Sequence, residues 1–163
     1  MVGRVKGKAA GGRGAAPARG YRRHDEFEPY LLNHVVSLIN TEFQDVLRRY
    51  RLPFRQWRVL AFLHHRDSLP IGQLAAETAT DQTTLSRVIT QMEARGLVVR
   101  RQRPDDNRFV EIVLADAGRR TFETVLPLAL ELRDRYFAGF TPEERETLVA
   151  LLKRIAATVE AGR

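Results

Sequence analysis

Apolar residues recur at helical spacing through most of this chain and alternate with polar ones in a few short stretches. The most regular helical stretch follows Asp81, where apolar side chains recur at i, i+3, i+4 and i+7. That spacing places them on one face of a helix. The four side chains are Leu85, Val88, Ile89 and Met92. Leu97, just beyond the helix, is predicted to help bury this face.

The opposite face of the same helix is polar and holds no carboxylate until Glu93. Its hydroxyls, amides and guanidinium suit a groove lined by phosphates, where Arg binds guanine and Gln binds adenine through paired hydrogen bonds. A solvent-exposed helix more often mixes Glu with Lys or Arg. The residues predicted to contact DNA are Gln82, Thr83, Thr84, Ser86, Arg87 and Gln91.

Two strand-like runs follow this helix. Arg95 and Gly96 are typical of a helix end, with a cation near the negative pole and a glycine for the left-handed position. Residues 97–103 and 108–114 are predicted strands, and the turn residues 104–107 join them. The pattern predicts a β-hairpin, and a plain packing unit of helix and hairpin with a charged turn remains the alternative.

The residues upstream predict two shorter helices. Trp57, Leu60, Ala61 and Leu63 share one helical face, and a second short helix is predicted to start at residues 69–75. Either Thr80 or Asp81 is a suitable N-cap for the polar-faced helix that comes next. Two helices joined by a tight turn form a helix-turn-helix, and a hairpin after it makes a winged helix.

Several segments together resemble one known family. They are LPFRQWRVLAFL, LPIGQLAAET, TTLSRVITQMEARGLVVR, PDDNR and the Leu-x-x-x-Gly of residues 114–118. This set, spread over roughly residues 27–160, resembles the MarR family of dimeric winged-helix transcription regulators. The resemblance implies a mainly α-helical fold with a small β-hairpin, built as a winged helix-turn-helix plus a helical dimerisation domain.

The resemblance also assigns roles in the hairpin turn. In the family an Arg of this turn enters the minor groove and an Asp helps to hold it, which implies DNA-binding roles for Arg108 and Asp106. The chain departs from the family at Asn107, where a second Arg is frequent, and at Ala115, where Thr is frequent. Because Thr is a good N-cap and Ala is not, Asp116 is expected to cap the next helix.

Long apolar stripes mark both ends of the folded part. One runs from Leu31 to Tyr50, and the other from Leu148 to Val159, after a capping box that begins at Thr141 with Pro at N1. The helix between them contains Pro127, which is expected to kink or divide it. The resemblance implies that the helices at about 27–50 and 116–160 interleave with those of a second copy in a homodimer. It places the winged helix of each copy at about 52–114. The predicted domains are a basic tail at 1–24 and a single unit at 25–163.

The resemblance further implies an effector. Family members commonly bind aromatic carboxylates, and some bind aromatic acyl-CoA thioesters, between the dimerisation helices and the winged helix. The matching positions here are Tyr30, His34, Arg55, Trp57 and Arg58. The expected function is a homodimeric repressor that leaves a pseudo-palindromic operator when an effector binds. A constitutive DNA-binding or chromosome-coating protein without an effector is the alternative.

Composition excludes several classes of protein. The chain contains no Cys, so it has no disulfide, thiolate nucleophile or Cys-based zinc site. No apolar run approaches the ~20 residues needed to cross a bilayer, and no secretory signal is visible, so a cytoplasmic protein without membrane contact is expected. Glycine-rich phosphate loops and nucleophile elbows are absent from the sequence. We therefore expect no enzyme activity, no cofactor and no metal.

The net charge of +7 comes from the tail. Residues 1–24 hold seven of the 27 basic residues and no acid, so residues 25–163 carry 20 basic and 20 acidic residues. Binding of double-stranded DNA is therefore indicated by where the charges cluster and not by their sum, and the hairpin holds the clearest basic cluster. Its five arginines are Arg95, Arg100, Arg101, Arg103 and Arg108. The tail is poor in large apolar residues, which predicts disorder.

Deleting residues 1–24 is expected to flatten the dependence of log affinity for DNA on log salt, because fewer counterions are then released. Preference for the operator over random DNA is expected to persist, whereas Arg108→Ala is expected to weaken operator binding far more than loss of one tail charge. Salt titrations of the two variants and the full chain measure both effects. An unchanged slope after the deletion would show that the tail does not contact phosphates.

Overall fold

A computed structural model describes residues 26–103 and 106–162, with only the backbone at residues 103 and 106–109. The elements of this part are, in chain order, α1 (Glu28–Arg49), α2 (Phe54–Arg66), β1 (Ser68–Pro70), α3 (Ile71–Glu77), α4 (Gln82–Ala94), β2 (Val98–Arg103), β3 (Asp106–Leu114), α5 (Asp116–Tyr136) and α6 (Pro142–Ala161). Among the described residues, those up to Asn40 belong to one compact unit and those from Thr41 onward belong to another. The mainly helical fold with a small sheet confirms the predicted fold class, and the predicted domain bounds stay a prediction.

Helix α4 begins and ends at its sequence signals. The carboxylate of Asp81 accepts a hydrogen bond from the Thr84 amide at 2.8 Å, so Asp81 is the N-cap. At the other end, Gly96 has a φ of 67°. The Gly96 and Leu97 amides donate to the carbonyls of Glu93 and Met92, each at 2.9 Å. This Schellman arrangement ends the helix and turns the chain toward β2.

Strands β2 and β3 form the predicted hairpin. They pair antiparallel, with Val98 opposite Leu114 and Gln102 opposite Val110. The predicted turn at residues 104–107 is too long, because β3 begins at Asp106 and the register shifts after Gln102. The two extra residues, 106 and 107, belong to β3, so only this strand of the hairpin is longer than predicted.

The sheet also has a strand that the pattern does not predict. Residues Ser68–Pro70 pair antiparallel with β3, with Leu69 opposite Ile112, and the strand order is β1-β3-β2. The prediction that residues 69 and 70 start a helix is therefore wrong, and α3 begins at Ile71. Pro70 is compatible with this position because β1 is a short edge strand.

One core joins α2, α3, α4 and the sheet. Its fully buried side chains include Leu60, Leu63, Leu74, Ile89, Met92 and Ile112. Burial of each such side chain stabilises the fold by about 1.5–3 kcal/mol. Since Leu85, Ile89 and Met92 are at most 1% exposed, the apolar face of α4 is held against this core and its polar face is turned to solvent.

The start of α5 differs from the expectation. Ala115 occupies the N-cap position without a side-chain hydrogen bond, and Asp116 is the first residue of the helix. The prediction that Asp116 caps this helix is therefore wrong. Its carboxylate instead lies in the first turn, where a negative charge is favourable. Pro127 lies inside α5 without dividing it, and the helix continues to Tyr136.

Helix α6 has the predicted capping box. Thr141 accepts a hydrogen bond from the Glu144 amide at 3.2 Å, and the Glu144 carboxylate accepts one from the Thr141 amide at 2.8 Å. The helix buries none of its described residues within this chain. Its apolar stripe of Leu151, Leu152, Ile155 and Val159 is 41–54% exposed.

Across the described residues, no helix has both the length and the apolar character that crossing a membrane requires.

Gly118→Ala is expected to destabilise the protein by about 1–3 kcal/mol, because the added Cβ would lie 2.1 Å from the Leu97 carbonyl oxygen, which belongs to the backbone. Helix propensity alone predicts a gain of about 1 kcal/mol instead, so the sign of the change tests the packing. Urea unfolding measures it. Gly139→Ala is the control, since a Cβ there meets nothing within 4 Å. Equal stability of both variants would contradict the close approach of α5 to Leu97.

Candidate DNA-binding surface

The polar face of α4 is accessible along its length. Gln82, Thr83, Arg87 and Gln91 are exposed, and Thr84 and Ser86 are partly buried. Burial of the opposite face therefore gives the six α4 residues that are predicted to contact DNA one common surface. In the described part of the chain, the Arg87 side chain makes no hydrogen bond or ion pair. Its guanidinium is available to bind a partner.

Asp81 places a carboxylate at the start of this surface, and this carboxylate serves as the N-cap of α4. Hydrogen bonds from the hydroxyl and the backbone amide of Thr84 lower the pKa of the Asp81 carboxyl. A lowered pKa means that the ionised cap supports the helix at neutral pH, and that this support is lost as pH falls through the lowered pKa. Asp81 thus orients the first turn of α4.

Arg100 joins the hairpin to α4. Its guanidinium donates to the Glu93 carboxylate at 3.0 Å, to the Thr90 hydroxyl at 3.0 Å and to the Ser86 carbonyl at 3.3 Å. These contacts fix β2 against the edge of the polar face. They also neutralise the Glu93 carboxylate, which is the first carboxylate after this face in the sequence.

The hairpin arginines make internal contacts where their side chains are described. Arg95 donates to the buried Gln56 side chain at 2.5 Å, and Arg101 pairs with Glu111 at 3.3 Å. With Arg100 also paired, three of the five arginines in the predicted positive strip are bound within the chain. Carboxylates neutralise two of them, Arg100 and Arg101, whereas Arg95 keeps its charge because Gln56 is neutral.

The side chains of the wing tip lie outside the described residues. This applies to Asp106 and Arg108, although the backbone of both belongs to β3. The tail at 1–24 also lies outside the described residues. The DNA contacts expected of the wing and the tail therefore stay predictions.

A cleft of about 810 Å³ adjoins the polar face of α4. The end of α1, the loop to α2, the first turn of α2 and one side of α4 form its walls. We name it the arginine cleft after its four arginines, Arg48, Arg51, Arg55 and Arg87. Gln44 and Gln91 also line it. The sequence signal that indicates it is the run RRYRLPFR at residues 48–55, which joins two helices.

The residues expected to bind an effector occupy different surroundings. In the first unit, the Tyr30 and His34 rings stack with centroids 5.9 Å apart. In the second unit, Trp57 is 9% exposed and packs against Phe122, with ring centroids 4.7 Å apart. Arg55 lines the arginine cleft, and Arg58 is partly buried.

Comparison with known proteins identifies the family to which this fold belongs. The MarR family model matches residues 52–110. A solved structure described as a MarR-family transcriptional regulator from Silicibacter pomeroyi is 31% identical, with a TM-score of 0.77, and the alignment covers 84% of this chain and 92% of that one. The chain belongs to the MarR family.

Two further relatives carry functional descriptions. The homoprotocatechuate degradative operon repressor of Escherichia coli is 28% identical over 115 residues, which are 71% of this chain and 78% of the relative. The Bordetella bronchiseptica BpsR structure, whose DNA binding is described as regulated by 6-hydroxynicotinic acid, is 28% identical with a TM-score of 0.75. That alignment covers 84% of this chain and 98% of BpsR. As a MarR-family member, this chain is a transcriptional regulator with a winged-helix DNA-binding fold.

Arg87→Ala is expected to cost about 1–3 kcal/mol of affinity for the preferred DNA sequence, because one bidentate base contact is lost. The dimer is expected to remain intact. Titration against a duplex selected from a random library by the full chain, and against a scrambled duplex, measures the loss. Arg120→Ala on α5 is the matched control. Unchanged affinity of Arg87→Ala for both duplexes would show that α4 does not read the bases.

Proposed function

We propose that this regulator is a homodimeric repressor that binds a pseudo-palindromic operator and dissociates when a small aromatic acid or aromatic acyl-CoA binds. The observation that carries the DNA-binding part is the exposed, carboxylate-free face of α4 from Gln82 to Gln91. Such a face inserts into the major groove without bringing a negative charge against the phosphates. The repressor named among its relatives supports the direction of regulation.

Exposed apolar surface supports the homodimer. Helix α6 exposes Leu151, Ile155 and Val159, and the N-terminal half of α1 exposes Val35 and Leu38, each by 42–58% of its area. A protein that remained a monomer would rarely expose apolar stripes of this length. A two-fold axis through such helices covers the stripes and places two α4 helices on successive major grooves, ~34 Å apart.

Two relatives support the proposed effector class. Homoprotocatechuate appears in the name of one relative, and 6-hydroxynicotinic acid regulates DNA binding by BpsR. Both compounds are aromatic carboxylates. In this chain His34, Arg55 and Arg58 offer cationic or hydrogen-bonding groups for a carboxylate, and Tyr30 offers an aromatic ring. Because Phe122 packs on Trp57, we assign Trp57 a packing role beside the arginines and not a direct contact with the effector.

The proposed signal is a ligand and not a thiol oxidation, because the sequence contains no Cys. An aromatic acid or its CoA thioester is expected to release DNA, and linkage requires DNA to weaken the ligand by the same factor. A coupling of about 1–3 kcal/mol, or roughly 5- to 150-fold, is expected. Peroxide at levels that spare Met1 and Met92 is expected to leave the complex intact.

Thermal-shift screening of aromatic acids and acyl-CoA thioesters, followed by calorimetry with and without the selected duplex, measures this coupling. The neutral amide of each acid that binds is the matched control, since it keeps the ring and lacks the charge. A ligand with equal affinity in both titrations is not the inducer. Absence of any ligand, with selective DNA binding intact, would favour a constitutive DNA-binding protein.

A further inference from the structure

We propose that the arginine cleft binds backbone phosphates of the DNA, beside the bases that α4 reads, through Arg48, Arg51 and Arg55. This inference rests on the proposed function, since it assigns a second contact to the same operator. None of these three arginines is among the residues predicted from the sequence to contact DNA. Arg55 is also among the residues expected to bind the effector, and we assign it to a phosphate in the effector-free complex with DNA.

The first argument is the charge of the cleft. It is lined by four arginines, and no Asp or Glu stands among its described lining residues. In this part of the chain, the side chains of Arg51 and Arg55 make no hydrogen bond or ion pair. Arg48 pairs with Asp45, but both groups are more than half exposed, and such surface pairs are weak. The cleft is therefore a concentrated site of unneutralised positive charge.

The second argument is the rigidity of the wall that carries Arg51. The Arg51 amide donates to the Arg48 carbonyl at 3.0 Å, and the Leu52 amide donates to the Leu47 carbonyl at 3.1 Å. Leu52 is 2% exposed and anchors the loop in the core. Arg51 itself has a φ of 50° and occupies the left-handed C′ position of this Schellman end to α1. The helix end therefore fixes the direction in which the Arg51 side chain leaves the loop.

The third argument identifies the occupant. Arg87, Gln91 and Thr84 line the cleft and also belong to the polar face of α4. DNA that contacts this face therefore passes the mouth of the cleft. Several guanidinium groups spread over about 810 Å³ suit successive phosphates of one strand better than a single small anion. Contacts of this kind set the register of a protein on the duplex and leave base reading to other residues.

Arg51→Gln and Arg55→Gln test the proposal in the full-length protein. Each variant is expected to reduce the slope of log affinity against log salt by ~1 per protomer, or ~2 for a dimer on a palindrome. The ratio of affinities for the selected and scrambled duplexes is expected to stay within about twofold of the wild type, because phosphate contacts carry no base information. Arg55→Lys keeps the charge and is expected to keep the slope.

Arg49→Gln is the matched control, because Arg49 is exposed at the same end of α1 and does not line the cleft. Thermal melting checks that each variant is folded. A duplex with single neutral methylphosphonates along the operator flanks then locates the contact. At the contacted phosphate, the neutral linkage is expected to weaken the wild type and Arg49→Gln, and to have no further effect on Arg55→Gln.

The outcomes separate this inference from the proposed function. If the wild type does not distinguish the selected duplex from the scrambled one, the proposed function fails. If the wild type is selective and Arg87→Ala weakens it, but Arg51→Gln and Arg55→Gln keep the slope of Arg49→Gln, the cleft does not bind phosphates. Equal losses from every methylphosphonate in wild type and Arg55→Gln would also overturn the inference.

Discussion

Burial of the apolar face of α4 is the interaction on which the DNA-binding surface depends. Leu85, Ile89 and Met92 are at most 1% exposed, and each contributes about 1.5–3 kcal/mol to stability. Turning the helix about its axis would expose these side chains and bury Arg87 or Gln91 instead. The hydrophobic core therefore orients the polar side chains, and the Asp81 cap and the Gly96 turn fix where the helix begins and ends.

The surface around α4 depends on which arginines find partners inside the chain. Arg100 pairs with Glu93 and braces β2 against α4, Arg101 pairs with Glu111 within the hairpin, and Arg95 donates to Gln56 of α2. Arg51 lies in the α1–α2 loop and Arg55 in the first turn of α2, and neither side chain makes a hydrogen bond or ion pair with the described residues. Among the described residues, carboxylates thus neutralise Arg100 and Arg101 of the hairpin, whereas Arg51 and Arg55 of the arginine cleft have no such partner.

Local signals explain why the α4 helix and the hairpin were predictable. A helical repeat of apolar residues, a capping Asp81 and a terminal Gly96 all act within a few residues of one another. The pattern does not predict the strand at Ser68–Pro70, because three residues show no readable alternation and pairing with the distant β3 creates the strand. Likewise, the position of Ala115 is set by its amide, which donates to the Leu97 carbonyl, and not by side-chain capping.

By itself, the sequence determined the family, the polar face of α4 and the apolar stripes of the terminal helices, because these depend on spacing along one element. Only the tertiary structure decided which arginines remain available. Arg51 and Arg87 are far apart in the chain, and they line one cleft because the α1–α2 loop packs beside α4. Pairing of Arg100 with Glu93 likewise depends on how β2 lies against α4. Charge counts along a sequence do not contain this information, since neutralisation is a property of distances in the folded chain.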